Sequence, residues 1–191
     1  MSITSDTSLL CNENESVLVI IDVQERLSTA IPEKVLKKIS EKINLLSQAA
    51  ALLNIPVMVS EQYPKGLGST LSNITSSLPD NVLVKEKTCF SCASNLEFIT
   101  TLEALNKKQV ILVGMEAHIC VTQTALEFQN DNYQVFIPED AVCSRTKRNY
   151  KNALQRMRQA HCVISNSESI CFEWLRDAKH SQFKKISSLI K

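Results

Sequence analysis

Apolar residues come along this chain in short unbroken runs, separated by longer stretches in which they recur every three or four positions. The runs are Val17–Ile21, Pro56–Ser60, Val82–Val84, Val110–Val113, Tyr133–Ile137 and Cys162–Ile164. Continuous β-branched runs, rather than alternation, mark strands buried on both faces. Between them Glu33–Leu53, Ser94–Leu105, Ile119–Asp131 and Lys147–Ala160 read as amphipathic helices. Ile39, Ile43, Leu46 and Ala50 show the steps that line up one helical face. This alternation predicts an α/β fold in three layers: a six-stranded, mostly parallel sheet with helices on both faces. The stretch Glu61–Asp80 reads as one long irregular loop at the C-terminal end of the second strand. That is the edge on which open α/β sheets hold ligands.

Composition narrows the class. The 191 residues are enough for one sizeable core, read as a polar tail over 1–15 and a single domain over 16–191. With 21 Lys and Arg against 20 Asp and Glu, the net charge of +1 exerts no pull toward nucleic acid or membrane. The apolar runs fall far short of the ~18 residues of a membrane span. Met1–Asn14 lacks the apolar centre of a signal peptide, and the seven cysteines follow no framework spacing. They read as reduced thiols of a cytoplasmic protein. The tail His180–Lys191 carries Phe183, Ile186 and Ile190 at helical steps, suited to packing on its own subunit or on a neighbour.

Three glycines, Gly66, Gly68 and Gly114, form neither a dinucleotide fingerprint nor a phosphate loop. His118, His161 and His180 make no zinc spacing with one another or with the cysteines. No cofactor and no metal are expected.

The strongest chemical signal lies in Gln109–Phe128. A strand ends at Gly114, and Cys120 follows where a helical pattern begins. A thiol there meets the positive end of a helix and free N–H groups, which lower its pKa and offer donors to an oxyanion. A cysteine that merely packs would fit the same place. His118, two residues before Cys120, cannot face it on a helix, so a different base is needed. Asp22 stands at the tip of the first strand and Lys87 just past the end of the third. The strand tips would bring carboxylate, ammonium and thiol into one cleft, where the lysine favours both anions and the carboxylate accepts the thiol proton. Cys89 and Cys92 form a C-x-x-C between strand and helix, a competing redox reading.

The segments VLVIIDVQERL, SEQYPKGLG, KTCFS, GMEAHICVTQTALEF, SRTKRNYKNALQRMRQA and SESICFEWL resemble the isochorismatase-like cysteine hydrolases over about residues 16–175. The loop and C-terminal pieces look most like the small isochorismatase-domain hydrolases of unassigned substrate. The resemblance implies an Asp22–Lys87–Cys120 triad that cleaves a small amide or related C–N bond through a thioester. It also implies a cis peptide between Met115 and Glu116, an oxyanion hole from the Glu116 and Cys120 N–H groups, and a homo-oligomer. The nicotinamidase branch holds a metal through Asp-x-His, where this chain has Glu61-Gln62-Tyr63. Isochorismatases proper have glycine in place of Cys120. Gln24, Gln62, Tyr63, Phe90 and His118 are the candidate substrate-binding residues. A non-catalytic oligomeric scaffold is the remaining alternative.

Overall fold

Strands form at all six apolar runs: β1 (Ser16–Ile21), β2 (Val57–Gln62), β3 (Leu83–Lys87), β4 (Gln109–Gly114), β5 (Gln134–Pro138) and β6 (Val163–Ser165). The computed structural model describes residues 9–190. The sheet runs β3-β2-β1-β4-β5-β6 with every pairing parallel. The expectation of a mostly parallel sheet is therefore met in full. Helices α1 (Glu25–Ser28), α2 (Glu33–Leu52), α3 (Pro64–Leu67), α4 (Ser72–Thr75), α5 (Leu96–Ala104), α6 (Thr122–Asn130), α7 (Lys147–Gln159), α8 (Ser167–Leu175) and α9 (Phe183–Leu189) connect and cover it.

Strand alternation divides the interior into two cores. Leu18 and Ile20 of β1 join Val57, Val59, Ile111, Val113 and Phe136 beneath α2, α8 and α9. Val17, Val19 and Ile21 face the other way with Met58, Val110, Leu112, Val135 and Ile137, beneath α5, α6 and α7. The order of strands reverses at β1 and β4, the switch point where such sheets open a crevice. β4 meets it with Gly114 at φ 114°, where an added Cβ would lie 2.2 Å from the Ile21 carbonyl oxygen. Only glycine lets the two strand ends approach this closely.

Two expectations need correcting, and one open alternative is decided. The stretch Glu61–Asp80 is not one irregular loop, because β2 continues through Gln62 and α3 and α4 follow. Lys87 is the last residue of β3 rather than a residue beyond it. The C-terminal tail packs on its own subunit, since Ile186 of α9 is fully buried in the α2 core. Near the other end, Cys11 is buried and its backbone is pinned by Glu173 at 2.8 Å and Arg176 at 2.8 Å.

Candidate active site

Asp22 and Lys87 sit at strand ends, and Cys120 in the turn that follows β4. Asp22 follows β1 with φ 52°, in the left-handed region that few side chains adopt. Its N–H donates to the Ser60 carbonyl (3.1 Å), and its carboxylate is completely buried. Ser60 and Gln62 share the face of β2 that carries Met58, and Lys87 pairs in register with Gln62. Ser60 Oγ donates to Asp22 Oδ1 at 2.7 Å and Lys87 Nζ to Oδ2 at 2.7 Å. The Cys120 thiol completes the carboxylate's partners.

Cys120 is not on an α-helix, as the periodicity implied. It lies in a π turn, Ala117–Val121, that widens the chain before α6 begins at Thr122. Such single wide turns recur at functional sites. The Met115–Glu116 peptide is cis. The Ala117 N–H is spent on the Cys143 carbonyl (2.7 Å), and those of Ile119 and Val121 on that of Glu116 (3.0 and 3.3 Å). The Glu116 N–H meets no acceptor among the described residues.

The electrostatics reverse one expectation. The Cys120 thiol is not lowered but pushed up, first by burial and then by the Asp22 charge, with Lys87 opposing. One wide turn and one ammonium already committed to Asp22 do not outweigh the loss of water. Burial likewise raises the Asp22 carboxyl, against the pull of Lys87 and its hydrogen-bond donors. Burial works against the Lys87 ammonium, but Asp22, Cys120 and Cys92 together hold its pKa above the ordinary value. Burial thus works against the anion at both Cys120 and Asp22, and the two charges work against each other.

The five candidate binding residues fall into different roles. Gln24 is fully buried; its Nε2 donates to the Gln62 carbonyl (3.1 Å) and the Gly68 carbonyl (2.7 Å). Gln62 Oε1 accepts from Lys87 Nζ at 2.7 Å. His118 Nδ1 meets Ser144 Oγ at 3.0 Å and its Nε2 meets Asn149 at 3.1 Å, so the ring serves α7 and not the thiol. Glu116 pairs with Arg145 at 2.8 Å. Tyr63 and Phe90 are about half exposed. Tyr63 lines a cavity of about 340 Å³ with Pro64, Lys65, Lys87 and Thr88. A larger cavity, about 670 Å³, lies apart from Asp22, Lys87 and Cys120, between α2 and the β5–α7 connection.

Cys89 and Cys92 are both free thiols. Cys92 is fully buried, with its pKa pushed up to about 12 by burial, as befits a packed thiol. Ser60 and Cys92 were not anticipated around Asp22. The serine ending the apolar run of β2 was the available signal. Among the described residues no cluster of His, Cys, Asp and Glu could hold a metal ion, and no helix is long and apolar enough to cross a membrane.

A doubly wound parallel sheet with a buried acid, a lysine and a thiol at its switch point describes a class of α/β domains. Comparison with known proteins places the chain within it. The model of the isochorismatase domain matches residues 16–169. The secreted isochorismatase effector Isc1 of Phytophthora sojae is 39% identical over 184 residues, covering 93% of this chain and 85% of the relative. The structure of MAR1 ribonuclease from Caenorhabditis elegans superposes with a TM-score of 0.89 at 34% identity, covering 95% of this chain and 92% of that one. YcaC of Escherichia coli, described as an octameric hydrolase of unknown specificity, shares the fold at 21% identity, with a TM-score of 0.85 and coverage of 95% and 89%. The chain belongs to the isochorismatase family.

Proposed function

We propose that the chain is a cysteine hydrolase that cleaves a small amide or related C–N bond, with Asp22, Lys87 and Cys120 as its catalytic residues. The observation that carries this reading is the buried Asp22 carboxylate, which Ser60, Lys87 and Cys120 surround with donors. With burial raising the thiol, Asp22 takes its proton as sulfur attacks the carbonyl carbon. Attack and deprotonation are coupled, and no free thiolate need accumulate. Lys87 lowers the cost of the negative charge passing between sulfur and carboxylate. The oxyanion of the tetrahedral adduct faces the Glu116 and Cys120 N–H groups. Collapse breaks the C–N bond, and the departing nitrogen takes the proton from Asp22, leaving a thioester. A water that gives its proton to Asp22 then attacks the thioester. Collapse releases the carboxylic acid, and the proton returns to sulfur.

An assembly of several copies is part of the proposal, supported by the octameric fold relative. So is a cytoplasmic setting, supported by the free thiols of all seven cysteines; the Phytophthora relative is named as secreted. The redox alternative has less support, because Cys92 is sealed in the core.

The test is hydrolysis of a panel of small amides by wild type and Cys120→Ala, with a generic RNA as a further substrate. Loss of amide turnover by about 10³-fold or more in a folded variant, with an acyl adduct at Cys120 in wild type, is the expected result. Amide turnover that survives Cys120→Ala would overturn the mechanism. RNA cleavage that survives it, with no amide turnover in wild type, would replace the reading with a ribonuclease.

A further inference from the structure

The Lys87 ammonium has three N–H groups and four acceptors: Asp22 Oδ2 (2.7 Å), Gln62 Oε1 (2.7 Å), the Phe90 carbonyl (3.0 Å) and the Cys89 carbonyl (3.3 Å). The two short bonds take one N–H each, and the two carbonyls share the third. No N–H remains for a substrate oxygen. The direction of the Gln62 amide is settled by its neighbours. An ammonium can meet only its oxygen, and the Thr88 carbonyl, 2.7 Å from Nε2, only its nitrogen.

Gln62 is itself clamped. Its N–H donates to Gln24 Oε1 at 2.8 Å, while Gln24 Nε2 reaches the Gln62 and Gly68 carbonyls. The next residue, Tyr63, donates its N–H to the Lys87 carbonyl at 2.8 Å. The chain from Tyr63 to Gly68, whose first three residues wall the smaller cavity, is thereby tied to the ammonium through two buried amides.

We infer that Gln62 is a positioning residue for the proposed hydrolysis: it holds the Lys87 ammonium on Asp22, keeps it off the substrate, and links that geometry to the cavity wall. The inference rests on the hydrolase reading. Without the Gln62 oxygen, the ammonium keeps the Asp22 carboxylate and the longer Phe90 and Cys89 carbonyl contacts, but loses one of the two short bonds that fix its position on the carboxylate. The base that deprotonates Cys120 then loses part of its charge support. A group that only filled space would slow the site equally at every pH.

The experiment is the rate of Cys120 alkylation by iodoacetamide, read by mass spectrometry of all seven cysteines between about pH 5 and pH 9. Wild type, Gln62→Met and Gln62→Glu are compared. Methionine keeps the length and removes both polar contacts. Glutamate keeps an oxygen on Lys87 but sets a second carboxylate competing for it. In both variants the acid limb of the profile is expected to move up by about one unit, with about tenfold slower labelling on that limb. Glutamate preserves the size and one contact, so it decides the matter if the methionine variant fails to fold. An unshifted acid limb in folded Gln62→Glu, or in both variants, overturns the inference while fast wild-type labelling leaves the hydrolase reading standing. If wild-type Cys120 labels no faster than the other cysteines, the hydrolase reading itself falls.

Discussion

Raising the pH of the reduced protein should unfold it through its own core thiols. Six of the seven cysteines, Cys11, Cys92, Cys120, Cys143, Cys162 and Cys171, are buried, and burial is the largest cause raising each thiol. Cys162 is pushed up to about 11, and Cys92, Cys143 and Cys171 to about 12, from an ordinary 9.0. The folded chain thus holds protons that the unfolded chain surrenders from about pH 9 upward. Fewer protons on the unfolded state means stability that falls as pH rises, and that is complete below the ordinary thiol value. Lys87 acts in the same direction, since its raised pKa adds stability that is lost as pH passes through the folded value. Burial also raises the Asp22 carboxyl, so its contribution is complete below the ordinary carboxyl value and is likewise lost as pH rises through the folded value.

Each thiol costs about 1.4 kcal/mol per pH unit once its unfolded form ionises, so six together approach roughly 8 kcal/mol per unit. Domains of this size have only about 5–15 kcal/mol in hand. Urea midpoints followed by circular dichroism in reductant should therefore be steady to about pH 8.5 and collapse by about pH 11. Cys171→Ala should start lower, from its lost packing, and fall less steeply. A wild-type midpoint that drifts by no more than one or two groups' worth across that range would refute the reasoning.

Two further perturbations address the site's frame. Gly114→Ala places a Cβ 2.2 Å from the Ile21 oxygen at φ 114°, so strain and overpacking together should remove about 3–5 kcal/mol by urea titration; a loss under about 1 kcal/mol would contradict the close approach of β1 and β4. Ser60→Ala removes a 2.7 Å donor from Asp22, worth about 1.5–3 kcal/mol to a charged group; the acid limb of Cys120 alkylation should rise by one to two units, and an unmoved limb would place Ser60 outside the charge network.

The layering of this protein was legible because its signals are local. Parallel strands covered on both faces are apolar almost throughout, so long runs marked β1, β2, β4 and β5 and shorter ones the half-buried edges β3 and β6, while Ile39, Ile43 and Leu46 marked the covering helix. Asp22 and Lys87 stood out as charges where such runs end. What escaped notice depends on distance in three dimensions. Sequence cannot show that Ser60 and Cys92 surround Asp22, because strand order decides it. Nor could it show that Gln24 and Gln62 turn inward to the backbone and to Lys87. The thiol pKa went astray for a related reason: a helix start and a nearby carboxylate were visible, but the burial that raises the thiol most was not.

The sheet order also explains why the cation here is a lysine. β1 and β3 are not neighbours; β2 lies between them. Adjacent strands are about 4.8 Å apart, so the backbones carrying Asp22 and Lys87 are separated by roughly 10 Å. A carboxylate on a short stem covers little of that gap. The lysine stem, about 6 Å of methylenes, covers most of the rest and ends in a compact charge. Histidine would fall short, and arginine would bring five N–H groups to a buried place with four acceptors. The stem must cross β2, so β2 needs polar side chains where it passes, and there Gln62 accepts from the ammonium while Ser60 takes the carboxylate's other oxygen. Lys87, Gln62 and Ser60 are thus one solution to a single spacing problem, and changing any of them should be felt at Asp22.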